Sequence, residues 1–122
     1  MEEYESTRPI YLQIIEKIKA KIILGEPGLG ERLISIRDMA LQMGVNPNTI
    51  SRVYAQLEQE GVVETKRGMG TFVVEDPALI ERLQEEVIDK RILTVVNSLA
   101  EAGFTDEQII GLVHTALKRI RG

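Results

Sequence analysis

The sequence predicts a mainly α-helical chain with one small β-hairpin. We expect a winged helix-turn-helix over residues 1–75, followed by a two-helix C-terminal tail over 76–122. Three observations carry this prediction. Apolar residues recur at spacings of three and four through most of the chain. The stretch "MGVNPNT" stops one such pattern at Gly44 and restarts another at Asn46-Pro47. The period then changes to short β-branched runs on either side of "KRGMG". A length of 122 residues suits one domain, or a small domain with an appendage.

The first helix is expected from about Pro9 to Leu24. Proline suits a first helical position, and Tyr11, Ile14, Ile18 and Ile22 fall on one face. Glu16, Lys17, Lys19 and Lys21 take much of the opposite side, and "GEPGLG" breaks the helix. The second helix begins at Ser35, where Asp38 three residues on makes a variant of the capping box. Met39, Ala40 and Met43 supply its apolar contacts, and Gly44 ends it. Asn46 caps the third helix, with Val45, Ile50, Val53, Tyr54 and Leu57 facing inward and Gly61 as its stop.

Val62 to Thr65 and Thr71 to Val74 read as two strands of a hairpin. Its loop is longer than a two-residue turn, so its tip should project. Beyond it, Asp76-Pro77 caps a long helix reaching about Ala102, with Ile80, Leu83 and Val87, then Ile88, Ile92, Val95 and Leu99. That apolar stripe jumps by one position between Val87 and Ile88, which widens the face to be buried. Gly103 ends the helix, and Thr105 with Gln108 matches a capping box for a last helix striped by Ile109, Val113, Ala116 and Ile120.

Composition narrows the function. The apolar fraction of 43% is that of a globular chain, and the apolar runs are too short to span a membrane. The start "MEEYESTRPI" is acidic, unlike a signal peptide, and the chain has no cysteine, which suits the cytoplasm. The net charge of −4 argues against a nucleic-acid partner unless charge is read locally. Locally, the picture reverses. From Met39 to Leu57 there is no carboxylate, although the chain holds 19 acids against 15 Lys and Arg.

That acid-free window covers the third helix up to Leu57, and the outward positions there are Asn48, Thr49, Ser51, Arg52 and Gln56, with Asn46 at the cap. Amides pair with adenine edges and guanidinium with guanine, while a carboxylate in such a place would face phosphates and repel them. The hairpin repeats the pattern. "TKRGMGTFVV" is also free of acid, with Lys66 and Arg67 at the expected tip and Gly68 beside them, where the backbone can approach a sugar-phosphate strand. Arg37, early in the second helix, falls near the flanking backbone. A merely solvated face would explain any one of these features; their order along the chain is what double-stranded DNA requires.

At these residues the chain resembles the GntR family of bacterial transcription regulators. The matching segment is "GERLISIRDMALQMGVNPNTISRVYAQLEQEGVVETKRGMGTFV", preceded by "RPIYLQIIEKIKAKIILGE", and the match runs from about Arg8 to Val74. In that family the positions matching Arg37, Asn46, Asn48, Thr49, Ser51, Arg52, Arg67 and Gly68 lie at or near DNA. Two positions depart: the family usually has proline where Leu29 and Ile34 stand, both in the loop before the second helix. The short tail resembles the YtrA-like subfamily. The resemblance implies a homodimer on an inverted-repeat operator, usually a repressor, often of its own operon with transporter genes.

Dimerisation has a separate physical motive. Two tail helices cannot bury such wide stripes against each other and one small domain, so Ile88, Ile92, Val95, Leu99, Val113, Leu117 and Ile120 are the candidate interface. Two linked readers gain through effective concentration, and two-fold symmetry sets half-sites about 10 bp apart.

Other chemistry finds little to stand on. His114 is the single histidine and has no ligating neighbours in sequence, Glu85, Glu86 and Asp89 read as a solvated face, and no nucleophile sits beside a base. "KRGMG" lacks the Gly-Lys-Ser/Thr ending of a phosphate loop. No enzyme, cofactor or metal is expected, and the sequence names no effector. A protein-interaction scaffold is the alternative; it predicts apolar anchors or mixed charge on the third helix, where the sequence has polar residues cleared of acid.

Overall fold

The computed structural model describes residues 3–122. Contacts divide the chain into two compact units, one ending at Leu83 and one from Gln84 to Gly122.

In the first unit, helix α1 spans Ile10–Ile23, and Pro9 stands just before it as N-cap, one residue earlier than the sequence suggests. Ile14, Ile18 and Ile22 are buried at helical spacing, joined by Ile15. Each fully buried isoleucine contributes about 2–3 kcal/mol of apolar transfer. Lys19, expected on the solvated side, is instead 9% exposed. Its ammonium reaches the Glu60 carboxylate at 2.7 Å, so opposite charge offsets its desolvation.

Helix α2 spans Ile36–Met43, with the Ser35 hydroxyl accepting from the Asp38 backbone N–H at 3.1 Å and Gly44 closing the helix in the left-handed conformation. Helix α3 spans Pro47–Gln59, and Ile50, Val53, Tyr54 and Leu57 go into the core as their spacing requires. Its C-terminal carbonyls are satisfied in two ways. Gly61, at φ +75°, turns the chain so that the Gly61 and Val62 N–H groups bond back to Glu58 and Leu57. The Arg82 guanidinium donates to the Glu60 carbonyl at 3.0 Å and the Gly61 carbonyl at 3.3 Å.

Strands β1 (Val63–Lys66) and β2 (Gly70–Val73) pair antiparallel, with Val63 opposite Val73 and Lys66 opposite Gly70. The loop before α2 adds a third, very short strand-like pairing that the sequence does not signal. Arg32 bridges to Phe72, and the N–H groups of Leu33 and Val73 bond to Thr71 and Glu31. The expected boundary at 75/76 falls short of the unit's end, because Leu79 and Leu83, in helix α4 (Leu79–Val87), belong to the same core.

The second unit is helical. A π-helical turn at Ile88–Ile92 separates α4 from α5 (Leu93–Glu101), and its i→i+5 bond runs from the Leu93 N–H to the Ile88 carbonyl. This turn sits where the apolar stripe jumps. Val87 and Ile92 are five residues apart, the spacing that a π turn puts in line and an α turn does not. Helix α6 (Asp106–Arg121) starts with the full capping box of Thr105 and Gln108. Among the described residues, no helix is long and apolar enough to cross a membrane.

Candidate nucleic-acid interface

The start of α3 is built by its cap. The Asn46 side-chain carbonyl accepts from the Asn48 N–H at 2.7 Å, and the Asn46 backbone carbonyl accepts from the Thr49 N–H at 2.9 Å. Asn46 therefore commits one lone pair of its side-chain carbonyl to the helix, and its amide nitrogen remains a donor for an outside partner. Asn48, Ser51 and Arg52 are exposed, and Thr49 is half-buried. Gln56, expected to face outward, is half-buried and donates to the Glu60 carboxylate at 3.1 Å, so it belongs to the support of the helix.

The acids just beyond the acid-free window are engaged inside the fold. Glu58 accepts from the Thr65 N–H at 2.9 Å, which ties the end of α3 to β1, and Glu60 takes Lys19. Polar and cationic side chains thus have the first turns of α3 to themselves. Tyr54 anchors the helix from below: its hydroxyl donates to the Ile34 carbonyl at 2.8 Å, and burial pushes its pKa above the usual tyrosine value. Arg52 lies over the ring of Tyr11, 3.6 Å from its centroid.

In the wing, Arg67 and Gly68 are exposed in the turn, which the Met69 N–H closes on the Lys66 carbonyl at 2.8 Å. Gly68 has φ +76°, and a Cβ placed there would meet nothing within 4 Å, so glycine is required by the turn and not by space. Lys66 departs from expectation. It ends β1 instead of sitting at the tip, is half-buried, covers the Phe72 ring at 4.7 Å and lies 3.9 Å from Glu64. Arg32, absent from the candidates that the sequence offers, packs beside Gly70, where a Cβ would meet its Nε at 2.6 Å. Only the strand-like pairing of Arg32 with Phe72 brings it to the wing, and no local pattern signals that. Arg37 is exposed in the first turn of α2.

Of the tail residues, Ile88, Ile92, Val95, Val113, Leu117 and Ile120 are exposed in the single chain and Leu99 is half-buried. Leu93, Ile110 and Leu112, outside the stripes expected from sequence, are exposed as well. Among the described residues no cluster of three or more His, Cys, Asp or Glu could hold a metal ion. A surface cavity of about 320 Å³ is lined by Ile18, Leu33, Met39 and Pro27 with Lys21, Arg32 and Gln42 among its polar groups, and it includes none of the α3 or wing-tip candidates.

A short helix-turn-helix whose capped second helix carries no acid before Glu58, with a basic hairpin beside it, is the DNA-binding domain of a transcriptional regulator. The chain belongs to the GntR family: the family of bacterial regulatory proteins of that name matches residues 10–73. Over 113 residues it is 37% identical to the helix-turn-helix transcriptional regulator YhcF of Bacillus subtilis, covering 93% of each chain. It is 44% identical over 71 residues to the transcriptional repressor YtrA of the same organism, covering 58% of this chain and 55% of that one. Among solved structures, a GntR family transcriptional regulator from Listeria monocytogenes superposes with a TM-score of 0.84 at 33% identity, covering 92% of this chain and 98% of that one.

Proposed function

We propose that the protein is a repressor that binds an inverted-repeat operator as a homodimer. The N-terminal turns of α3 lie in the major groove, with Arg52 and Asn48 toward base edges and Asn46, Thr49 and Ser51 toward bases or phosphate. Arg37 meets the flanking backbone. The wing lies along the neighbouring strand, with Arg67 and the Gly68 backbone nearest to it and Lys66 adding charge from the end of β1. The observation that carries this reading is the exposed face of Asn48, Ser51 and Arg52 at the start of α3, with Glu58 and Glu60 drawn away into internal bonds.

Dimerisation is supported by the apolar side chains that one copy leaves in water, Ile92, Val113 and Ile120 being 52%, 53% and 81% exposed. A second copy laid against them would remove that surface from water and set two reading helices on one duplex. Repression is supported by the name of YtrA, a transcriptional repressor that is 44% identical to this chain over 71 residues. A cytoplasmic location follows from the nature of the partner.

The test is selection from randomised duplex DNA, with sequencing of the bound pool, for the natural protein and for Arg52→Ala. Enrichment of an inverted repeat that the variant fails to enrich is the expected result. A natural protein that enriches nothing, or only a single half-site, would count against the reading.

A further inference from the structure

Arg52 does not stand free on α3. Its guanidinium carbon lies 3.6 Å from the centre of the Tyr11 ring, which comes from the first turn of α1, a different helix. Tyr11 is half-buried and packs against the core cluster, so the ring is held from beneath. The described residues give Arg52 no carboxylate partner. A guanidinium carries all its N–H donors in its own plane, so a ring beneath that plane holds the group while leaving its donor edge open. The negative face of the ring also favours the cation.

We infer that Tyr11 is a positioning residue for base recognition: its ring fixes the Arg52 guanidinium so that the donor edge is presented to a guanine before DNA arrives. The inference rests on the proposed reading that Arg52 meets a base. A long, freely turning arginine loses rotamer freedom on binding, and the correct and incorrect base then differ less in net affinity. A side chain already stacked in place loses less and tolerates a misplaced acceptor poorly. Specificity at one base pair is thereby shared between the recognition helix and α1, a helix outside the helix-turn-helix.

The experiment measures affinity for two duplexes, the selected operator and a copy altered at the base pair where Arg52→Ala loses selectivity. The readout is the ratio of the two affinities. Arg52→Ala should lower that ratio about tenfold. Tyr11→Leu should lower it about threefold and have no further effect when Arg52 is already alanine. Tyr11→Phe, which keeps the ring face, should retain the natural ratio. Tyr11→Leu should leave the salt dependence of binding unchanged, because no phosphate contact is lost. Tyr11→Met, also without an aromatic face, gives the same readout if leucine unsettles the fold, and thermal melting accompanies each variant.

A lowered melting temperature with an unchanged ratio would make Tyr11 a packing residue and overturn the inference. So would a threefold loss that persists in the Arg52→Ala background. If Arg52→Ala loses selectivity at no base pair of the operator, the reading of Arg52 fails, and the positioning role fails with it.

Discussion

The two units of this chain are built from the same kind of helix, yet they reach opposite outcomes. In the unit that ends at Leu83, stripes of isoleucine, valine and leucine close on one another. Ile14, Ile18, Ile50 and Leu57 are at most 1% exposed. In the unit from Gln84, stripes of similar composition stay in water: of its large apolar residues, only Ile109 is buried. Both units have well-made helix ends, Ser35 and Asn46 in the first and the Thr105–Gln108 box in the second. Capping and periodicity therefore make helices in both, while burial separates them. The first unit is completed by its own chain. The second, in our reading, is completed by another copy.

The largest expected effect breaks the first unit. Ile50→Ala removes a fully buried side chain beneath the reading helix and should cost about 2–5 kcal/mol of stability. Urea unfolding checks it, and the loss should persist at every protein concentration. A tail substitution should behave differently. Leu117→Glu sets a charge into the proposed interface and should weaken operator binding tenfold or more, by about 1.4 kcal/mol at least, with an effect that grows on dilution. A loss independent of concentration would assign Leu117 to packing within one chain.

On the reading face, Arg52→Ala should cost about 1–3 kcal/mol of operator affinity and relax one position of the operator, read by titration. Arg67→Ala should lower affinity for all duplexes alike and flatten the salt dependence by about one unit of slope. Lys66→Ala should flatten it less, since Lys66 covers Phe72 and already has Glu64 nearby.

The smallest effect concerns Tyr54. Its phenol is buried and protonated, with a pKa raised above the unfolded value, so the stability it contributes is fully present below the ordinary tyrosine pKa of about 10 and is lost as pH rises beyond it. Tyr54→Phe should cost about 1 kcal/mol at neutral pH, through the lost bond to Ile34, and should make the alkaline decline shallower. Urea unfolding at pH 7 and above pH 10 separates the two.

Much of this is legible in the sequence because it is governed by local rules. Ser35, Asn46 and Thr105 signal helix starts through their own side chains. Ile14, Ile18, Ile22, Ile50, Val53 and Leu57 signal burial by spacing. The absence of acid along α3 up to Leu57 signals a polyanion. The one-residue jump of the stripe at Val87–Ile88 marks a real feature, although spacing alone does not identify it as a π turn. What escapes is set by partners distant in sequence. Lys19 is buried because Glu60, 41 residues away, is there to meet it. Gln56 turns inward for the same carboxylate. Arg32 joins the wing because its backbone pairs with Phe72, and Tyr11, which packs against the core, also carries Arg52 over its ring. In each case the deciding contact joins two elements, and neither element's own pattern contains it.

The comparison is tested most directly by sedimentation equilibrium of the whole protein over a wide concentration range, beside Leu117→Glu. The expected result is a species of twice the 13.7 kDa chain mass for the natural protein and of single-chain mass for the variant, with both equally folded by circular dichroism. A natural protein that stays at single-chain mass while still selecting an inverted repeat would contradict the account, because the exposed stripes of the second unit would then need another explanation.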